Sequence, residues 1–313
     1  MELKIFKGTT RAIPFDGTAL TVGTFDGVHK GHRSIIEKLN ERAQALGLHS
    51  LLVTFEPHPK IVVEKAGAPE IHLLTTIDEK IAVLQSTGLD SLVISRFTKS
   101  FAATSAEDFV RDTLVRKLKM KSIIIGHDHG FGRDRQGNDE LLLKLSQELD
   151  FSVCTVAPVA NGGQHISSTR IRQALLDGQV EAAAAMLGRP YAVTGRVVAG
   201  QKLGRQLGFP TANLLPNSVK LIPRSGIYAT TVIIESCLHQ SATYIGTRPT
   251  FAGVQRVVEV HVFDFDENLY GKEITVHFYR FLRDDRQFAS TDELIERIKK
   301  DKIESIKYFA NGG

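Results

Sequence analysis

The stretch Thr21–His32 reads TVGTFDGVHKGH, and the N-terminal half of the chain is organised around it. A short apolar strand, predicted over Ala19–Gly23, leads into a turn of small residues. Apolar side chains then recur at helical spacing from Ile35 to Leu46, which is typical of one face of a helix. A strand that turns directly into a helix start directs unpaired backbone N–H groups and the positive end of the helix at one point. The stretch therefore predicts a phosphate-binding turn.

Two histidines, His29 and His32, stand beside this turn where the helix begins. An imidazole at this place can donate a hydrogen bond to phosphate oxygens on which charge develops. Two isolated histidines at a helix start are more often solvated polar residues. The glycines around the histidine pair favour the phosphate-binding interpretation.

Composition is that of an ordinary globular protein, and the length predicts about two domains. The chain has 313 residues, of which 42% are hydrophobic and 24% are charged. The formal net charge of +4 comes from scattered Lys and Arg. Because nucleic-acid binding would require a basic stripe, we expect phosphorylated small molecules as ligands and no nucleic acid.

The chain shows no sign of export or of a membrane partner. Its first residues lack the apolar centre of a signal peptide, and no apolar run is long enough to span a bilayer. The two cysteines, Cys154 and Cys237, are expected to be free thiols rather than a disulfide. We therefore expect a cytoplasmic protein.

Apolar runs alternate with helix-period stretches from residue 19 to about residue 157. Runs rich in Val, Ile or Leu with little alternation are typical of strands buried on both faces. This βαβ series predicts an open parallel sheet with helices on both faces and ligands at the carboxyl ends of its strands. The predicted strands are Ala19–Gly23, Ser50–Phe55, Leu92–Ser95, Ser122–Gly126 and Ser152–Ala157, and the predicted helices are Arg33–Leu46, Ile77–Thr87, Ala106–Leu118 and Asp139–Leu149.

Polar segments follow the second and fourth of these strands. Phe55–Pro59 contains two prolines, which end the strand and predict a rigid turn that could be purely structural. Gly126–Asn138 holds four glycines and two arginines together with Asp128. Such a loop can bring its backbone close to a ligand, although loops of this composition are also often just mobile.

A third polar segment, His165–Arg172, follows the fifth strand and leads into a helix. Ser167 or Ser168 would cap this helix, and capping explains one of the two hydroxyls. It does not explain both hydroxyls together with Arg170. The segment therefore predicts a second anion site that faces the first across the sheet edge.

The pattern changes near Gly188, where a short predicted helix, Val180–Leu187, ends. Closely spaced strands separated by turns predict a small antiparallel barrel, closed by a helix over Thr291–Tyr308. We therefore predict two domains, residues 1–187 and 188–313. The strands predicted in the second are Tyr191–Val198, Ile227–Ile234, Ala242–Ile245, Val257–Phe265 and Glu273–Phe281.

The barrel carries its own candidate residues. Three spaced glycines precede Pro210-Thr-Ala-Asn213, and spaced glycines alone are weak evidence. Thr211 and Asn213 place two neutral oxygens on one face of an extended chain, which suits Mg2+ that also binds phosphate oxygens. Glu259, in Val-Glu-Val-His, has the position of an ordinary exposed strand carboxylate.

These segments together resemble one enzyme family. Residues 23–32 look like the phosphate-binding signature of the HxGH nucleotidylyltransferases, and the Phe-Asp-Gly-Val-His version resembles the bacterial bifunctional riboflavin kinase/FAD synthetases. The Phe-x-Pro-His-Pro turn, the glycine loop, the Ile-Ser-Ser-Thr-x-Ile-Arg segment and the Gly-Phe-Pro-Thr-Ala-Asn run also match that family in order. The resemblance covers about residues 10 to 308. It implies a Rossmann-like domain followed by a riboflavin kinase barrel.

The resemblance also implies the site residues, and it includes one departure. The family usually has Phe after the Asp of the glycine loop, whereas this chain has His129. For the first domain, the resemblance implies catalytic roles for His29, His32 and Arg170. It implies that the nucleotide is bound by Gly23, Phe25, Asp26, Gly27, His29, His32, Ser168, Thr169 and Arg170. It implies flavin binding by Phe55, Pro57, His58, Pro59, Asp128 and Phe131. In the barrel it implies ATP binding by Gly200, Lys202, Gly204, Arg205, Gly208, Pro210, Thr211 and Asn213, with Thr211 and Asn213 on Mg2+ and Glu259 as the base.

The reactions implied by the family differ in their need for a base. FMN and ATP would give FAD and pyrophosphate in the first domain, where the attacking phosphate is already anionic. Riboflavin and ATP would give FMN and ADP in the second, where a neutral hydroxyl must lose a proton. Two alternatives remain: a nucleotidylyltransferase for another substrate with a passive barrel, and a non-catalytic flavin-binding module.

Overall fold

The computed structural model describes residues 2–8, 14–63, 70–127, 130–132, 136–200, 203–250 and 253–312, and it leaves out the side chains of residues 203, 205, 248–250 and 253–255. The chain forms two compact units, Met1–Ser167 and Ser168–Gly313. Among the described helices, none has both the length and the apolar character needed to cross a bilayer.

The first unit is built on a parallel sheet. Its strands are β1 Lys4–Lys7, β2 Thr18–Val22, β3 His49–Glu56, β4 Ser91–Arg96, β5 Met120–Gly126 and β6 Ser152–Val156, and a small hairpin of β7 Ala160–Asn161 and β8 Gln164–His165 follows. The six-stranded sheet has the order β1-β4-β3-β2-β5-β6, with parallel neighbours throughout. The helices are α1 Lys30–Leu46, α2 Pro59–Val63, α3 Ile77–Leu84, α4 Lys99–Ala102, α5 Ala106–Asp108 and α6 Asp139–Leu149.

This sheet confirms the open parallel architecture that the sequence predicts. All five predicted strands are present, and the four predicted helices are found as α1, α3, α6 and the run from α5 to Lys117. That run continues as a π-helical segment, Phe109–Lys117, and ends with the Leu118 N–H donating to the Thr113 carbonyl at 3.0 Å. The edge strand β1 was not predicted because its four residues include no apolar run.

The sheet is buried on both faces, which explains the continuous apolar runs. Leu20 and Leu51 belong to one core cluster, whereas their strand neighbours Ala19 and Leu52 belong to another. The first cluster contains the apolar side chains of the π-helical segment and α6, and the second contains those of α1 and α3. Successive residues of each strand therefore pack against helices on opposite sides.

The strand order determines where a ligand can bind. From β2 the chain proceeds to β3 and β4 on one side and then returns to β5 on the other side of β2. The loops that follow β2 and β5 therefore leave the sheet at its topological switch point, where open α/β sheets form a crevice. The segments after these two strands are the predicted phosphate-binding turn and the glycine loop.

The second unit confirms the predicted antiparallel barrel. It contains α7 Ser168–Leu176, α8 Val180–Leu187, β9 Tyr191–Val198, α9 Leu203–Gln206, β10 Ala212–Pro216, β11 Gly226–Ile234, β12 Cys237–Thr250, β13 Gly253–Val262, β14 Glu273–Arg283 and α10 Thr291–Ala310. The barrel is closed in the order β10-β13-β12-β11-β14-β9. Strand β10 was predicted only as part of a sequence motif, and it closes the barrel between β9 and β13.

A buried ion pair holds the C-terminal helix on the barrel. Asp301 of α10 is buried and accepts from the guanidinium of Arg283 on β14, with Nη2 to Oδ2 at 2.8 Å. Arg297, one turn earlier on the same helix, lies 2.9 Å from the other carboxylate oxygen. The helix packs against β11 and β12. Removal of either arginine would leave the Asp301 carboxylate buried with less compensation, and loss of one partner of a buried pair costs about 3–5 kcal/mol.

The helices α7 and α8 belong to the same compact unit as the barrel. Val180 and Leu187 of α8 are buried, and α8 contacts β9 and β14. The Arg224 N–H donates to the Leu175 carbonyl of α7 at 3.0 Å. The division between compact units therefore falls ahead of α7, and the boundary at residue 188 stays a prediction.

We expect that residues 188–313 fold when expressed alone, but with a lower free energy of unfolding than residues 168–313. The shorter fragment lacks α8, and each buried Val or Leu side chain contributes about 1.5–3 kcal/mol. Chemical denaturation followed by circular dichroism compares the two fragments. An unfolded 188–313 beside a folded 168–313 would show that the domain begins at α7.

Candidate active sites

The turn between β2 and α1 has an unusual backbone. Phe25 and Val28 have positive φ angles of 46° and 40°, and Gly27 has a φ of 83°. Such angles are uncommon for residues other than glycine and rarest for a β-branched side chain. Both side chains are buried. Conformations of this kind persist where the surroundings enforce them, and they cluster at ligand sites.

Asp26 anchors this turn from inside. Its carboxylate is only 2% exposed and accepts the backbone N–H of Leu74 at 3.2 Å and of Thr75 at 3.1 Å. The Thr75 hydroxyl accepts in turn from the N–H of Gly27 at 3.0 Å. The structure therefore places Asp26 in the framework of the turn, and its predicted contact with a nucleotide stays a prediction.

His29 caps the helix that begins at the turn. Its Nδ1 accepts the backbone N–H of His32 at 3.3 Å, so the neutral ring carries its proton on Nε2 and can donate from there. The two imidazoles stack, with ring centroids 3.6 Å apart. A Cβ at Gly31 would lie 3.2 Å from the His29 Nδ1, which explains the glycine between the histidines.

His32 is held in its neutral form. Burial lowers the pKa of His32 well below its usual value, and the neighbouring His29 and the charge of Lys80 lower this pKa further. Its ring packs against Phe25 at 4.8 Å between centroids. Among the described residues, the buried Nδ1 of His32 has no hydrogen-bond partner. An unpaired polar atom beside a helix start is suited to a ligand.

Lys80 of α3 is a component that the sequence reasoning missed. The side chain is only 4% exposed, and its Nζ donates to the Thr24 carbonyl at 2.7 Å. Within the helix, Lys80 lies three residues after Ile77 and four before Leu84. This spacing puts the lysine on the apolar face, which is the signal that could have identified it.

The residues predicted to bind the flavin lie at the end of β3 and just after it, and two of them are buried. Phe55 is buried and packs edge-on against Phe97 at 5.5 Å. His58 is also buried, and its Nδ1 accepts from the Lys60 N–H at 3.2 Å. Pro57 follows a cis peptide bond and Pro59 begins α2. The segment is therefore a rigid turn at the carboxyl edge of the sheet.

The glycine loop after β5 is fastened by Phe131. This ring is buried against Phe109, and the Phe131 N–H and carbonyl pair with those of Gly137 at 3.0 and 2.9 Å. Asp128 and His129 lie outside the described residues.

Ser168, Thr169 and Arg170 are the first residues of α7, in the second unit. That they meet the two histidines stays a prediction.

The barrel places Thr211 and Asn213, two of its predicted residues, beside Glu259. The Thr211 hydroxyl donates to the Glu259 carboxylate at 3.4 Å, and Asn213 lies directly opposite Glu259 in the pairing of β10 with β13. Val258 and Val260 are buried. Because side chains alternate along a strand, Glu259 points out of the barrel, where it is half-buried.

Two glycines ahead of β10 leave room for close neighbours. A Cβ at Gly200 would lie 2.2 Å from the Asn213 amide nitrogen, and a Cβ at Gly204 would lie 2.4 Å from the Phe209 carbonyl. Gly208 has a φ of 83°. Lys202 and the side chain of Arg205 lie outside the described part of the chain.

His261 is a second residue whose role the sequence did not reveal. Its Nδ1 lies 2.9 Å from the Pro210 carbonyl, and burial lowers the pKa of His261. The neutral ring therefore donates from Nδ1 and holds the chain just ahead of Thr211. Its position two residues after Glu259, on the same face of β13, is the signal that could have identified it.

The two arrangements can perform different chemistry. The first unit offers neutral imidazoles at a helix start, which suit a polyanion that needs charge stabilisation. The second unit offers a carboxylate that can accept a proton, beside the hydroxyl and amide oxygens of Thr211 and Asn213. Because the Thr211 proton is directed at Glu259, the lone pairs of its oxygen remain available, and this oxygen donor set suits Mg2+.

Comparison with known proteins matches each half of the chain to an enzyme family. The family model for FAD synthetase matches residues 14–170, and the model for riboflavin kinase matches residues 187–309. A bifunctional riboflavin kinase/FMN adenylyltransferase from Escherichia coli K12 is 39% identical over 297 residues, which cover 95% of this chain and 94% of the relative. The protein of the same name from Bacillus subtilis is 34% identical and covers 94% and 93%.

A solved structure shows the same architecture. The crystal structure of a protein described as a macrolide-efflux protein from Streptococcus pneumoniae is 31% identical, with a TM-score of 0.87. The match covers 97% of this chain and 99% of that one. With two matching family models in order and relatives aligned along almost the whole length, this chain belongs to the family of bifunctional riboflavin kinase/FMN adenylyltransferases.

Proposed function

We propose that this chain makes FAD in two steps, phosphorylating riboflavin to FMN in the barrel and adenylylating FMN in the parallel-sheet unit. The observation that carries the proposal is the presence of both arrangements in one chain. The unit that matches FAD synthetase has neutral donors at a strained turn, and the unit that matches riboflavin kinase has a carboxylate beside two neutral oxygens. Each arrangement fits the protonation state of its nucleophile.

In the adenylylation step, an oxygen of the FMN phosphate attacks the α-phosphorus of ATP and pyrophosphate leaves. The attacking oxygen is already anionic, so the site needs alignment and charge stabilisation rather than a base. His29 would donate from Nε2, and His32 would bind through Nδ1, which has no hydrogen-bond partner within the part of the chain that the structure describes. Ser168, Thr169 and Arg170 would complete the anion site from the start of α7.

In the kinase step, the terminal hydroxyl of the riboflavin side chain attacks the γ-phosphorus of ATP and ADP leaves. This hydroxyl is neutral, so its proton must be accepted as the bond forms. Glu259 would accept it, and its position beside Thr211 and opposite Asn213 supports this role. Thr211, which donates to Glu259, orients the carboxylate, and His261 holds the backbone ahead of Thr211.

We further propose that Thr211 and Asn213 hold Mg2+ in the barrel. The ion would neutralise charge on the ATP phosphates as the γ-phosphoryl group is transferred. The fit rests on two neutral oxygens, an adjacent carboxylate, and a glycine at position 200 that leaves room for the Asn213 amide. The loop from Gly200 to Pro210 would cover the ATP phosphates.

The flavin of FMN would bind beside the carboxyl ends of β3 and β5. The rigid turn Phe55–Pro59 and the loop fastened by Phe131 flank that edge, and Asp128 belongs to the same loop.

We place the protein in the cytoplasm, where its substrates ATP and riboflavin are available. Both cysteines are free thiols, which fits a reducing compartment.

Replacing His32 should impair the first unit alone. We expect His32→Ala to slow FAD formation from FMN and ATP roughly 100- to 1,000-fold, the usual effect of losing one oxyanion donor. Phosphorylation of riboflavin should continue at the parental rate. His239→Ala, in the barrel, is the matched control, and chromatography of the flavins measures both steps. FAD formation at the parental rate would remove His32 from the mechanism.

Replacing Glu259 should impair the second unit alone. Glu259→Gln keeps the size of the side chain but cannot accept a proton, so riboflavin phosphorylation should slow about 100- to 10,000-fold. FMN supplied directly should still become FAD. Glu273→Gln, an exposed strand carboxylate on β14, is the matched control.

Normal kinase activity in the Glu259→Gln variant would show that Glu259 is not the proton acceptor of the kinase step. The same assay separates the alternative functions. A nucleotidylyltransferase for another substrate would leave both riboflavin and FMN unchanged, and a flavin-binding module would retain the flavin without converting it.

A further inference from the structure

Beneath the phosphate-binding turn lies a buried ammonium group that the proposed chemistry does not use directly. Lys80 Nζ donates to the Thr24 carbonyl at 2.7 Å and to the Thr54 hydroxyl at 3.3 Å. The Thr54 hydroxyl donates to the same Thr24 carbonyl at 3.1 Å. One backbone carbonyl of the turn therefore accepts from two side chains, which lie on β3 and α3.

The charge of Lys80 has identifiable neighbours. Burial lowers the pKa of Lys80, and the carboxylates of Asp26 and Glu56 act in the opposite direction. Burial likewise raises the pKa of Glu56, against the charge of Lys80. On α1, the charge of Lys80 contributes to the lowered pKa of His32. The ammonium thus lies between two acidic groups and the imidazole of the site.

The bonded carbonyl controls the direction of a peptide group. In a planar trans peptide the N–H points away from the C=O, so fixing the Thr24 carbonyl toward Lys80 directs the Phe25 N–H to the opposite side. Phe25 is the first residue of the turn with a positive φ. Two hydrogen bonds from buried groups, one of them charged, are strong enough to hold such a conformation.

We propose that Lys80 is a positioning residue of the adenylylation site, whose buried ammonium fixes the Thr24–Phe25 peptide so that the turn keeps its phosphate-binding form. The inference rests on the proposed adenylylation of FMN. In this role Lys80 acts through the turn, while His29 and His32 contact the phosphates. Its charge also sets the electrostatic surroundings of His32, and this gives a readout that does not depend on activity.

The test replaces Lys80 in the full chain. Lys80→Met keeps most of the length of the side chain and removes the charge, and Lys144→Met, at an exposed position on α6, is the matched control. We expect FAD formation from FMN to fall at least 10-fold, mainly in kcat, and Lys80→Arg to recover part of it. Riboflavin phosphorylation by the same preparation should be unchanged and serves as an internal measure of folded protein.

The second readout is the titration of His32 followed by NMR. Removing the positive charge should move the His32 pKa upward in Lys80→Met and leave it in place in Lys144→Met. If Lys80→Met does not fold, Thr54→Val removes one bond to the Thr24 carbonyl and keeps the lysine. That variant should slow adenylylation and leave the kinase step unchanged.

The outcomes that overturn the inference are distinct. Parental adenylylation together with an unchanged His32 titration would show that Lys80 does not act on the site. Equal loss of both activities in a soluble variant would show that it only supports folding. Failure of the parental chain to convert FMN would contradict the proposed function itself, and the His32 titration would still show whether the charge of Lys80 acts on His32.

Discussion

The first unit depends on the hydrogen bonds that hold the turn between β2 and α1 against α3. Asp26 accepts from two backbone N–H groups ahead of α3, and the Thr24 carbonyl accepts from Lys80. Residues with unfavourable φ angles cost about 1–3 kcal/mol each. Hydrogen bonds to charged groups contribute about 1.5–3 kcal/mol each. The anchoring bonds are therefore large enough to offset the two strained residues, and the stacked histidines depend on this turn for their position.

ATP is the cosubstrate of both proposed reactions, but the chemistry of the two sites differs. In the first, burial keeps His32 neutral, and a neutral donor suits a reaction whose nucleophile already carries negative charge. In the second, a half-buried carboxylate accepts from a hydroxyl and lies opposite an amide. In the proposed mechanism this carboxylate takes the proton that the riboflavin hydroxyl must lose, so the proposed difference between the sites follows from the charge of the attacking group.

Much of the fold could be predicted because its strands are apolar and its turns carry glycine or proline. The edge strand β1 could not be predicted, since its four residues include two lysines and show no pattern that separates a strand from a loop. Lys80 and His261 were not predicted for another reason: each contacts a backbone carbonyl that is distant in sequence, that of Thr24 for Lys80 and that of Pro210 for His261. Periodicity identifies the face on which a residue lies, but it does not identify the carbonyl that its side chain will meet.

The central claim, that one chain holds two separable sites linked by free FMN, is tested most directly by mixing two variants that are each expected to lack one of the two activities. His32→Ala should make FMN but almost no FAD from riboflavin, and Glu259→Gln should make neither. Combined with riboflavin, ATP and Mg2+, the two variants should restore FAD formation, with a lag while FMN accumulates. A mixture that produces FMN but no more FAD than His32→Ala alone would contradict the account, because it would show that the two steps cannot be shared between chains.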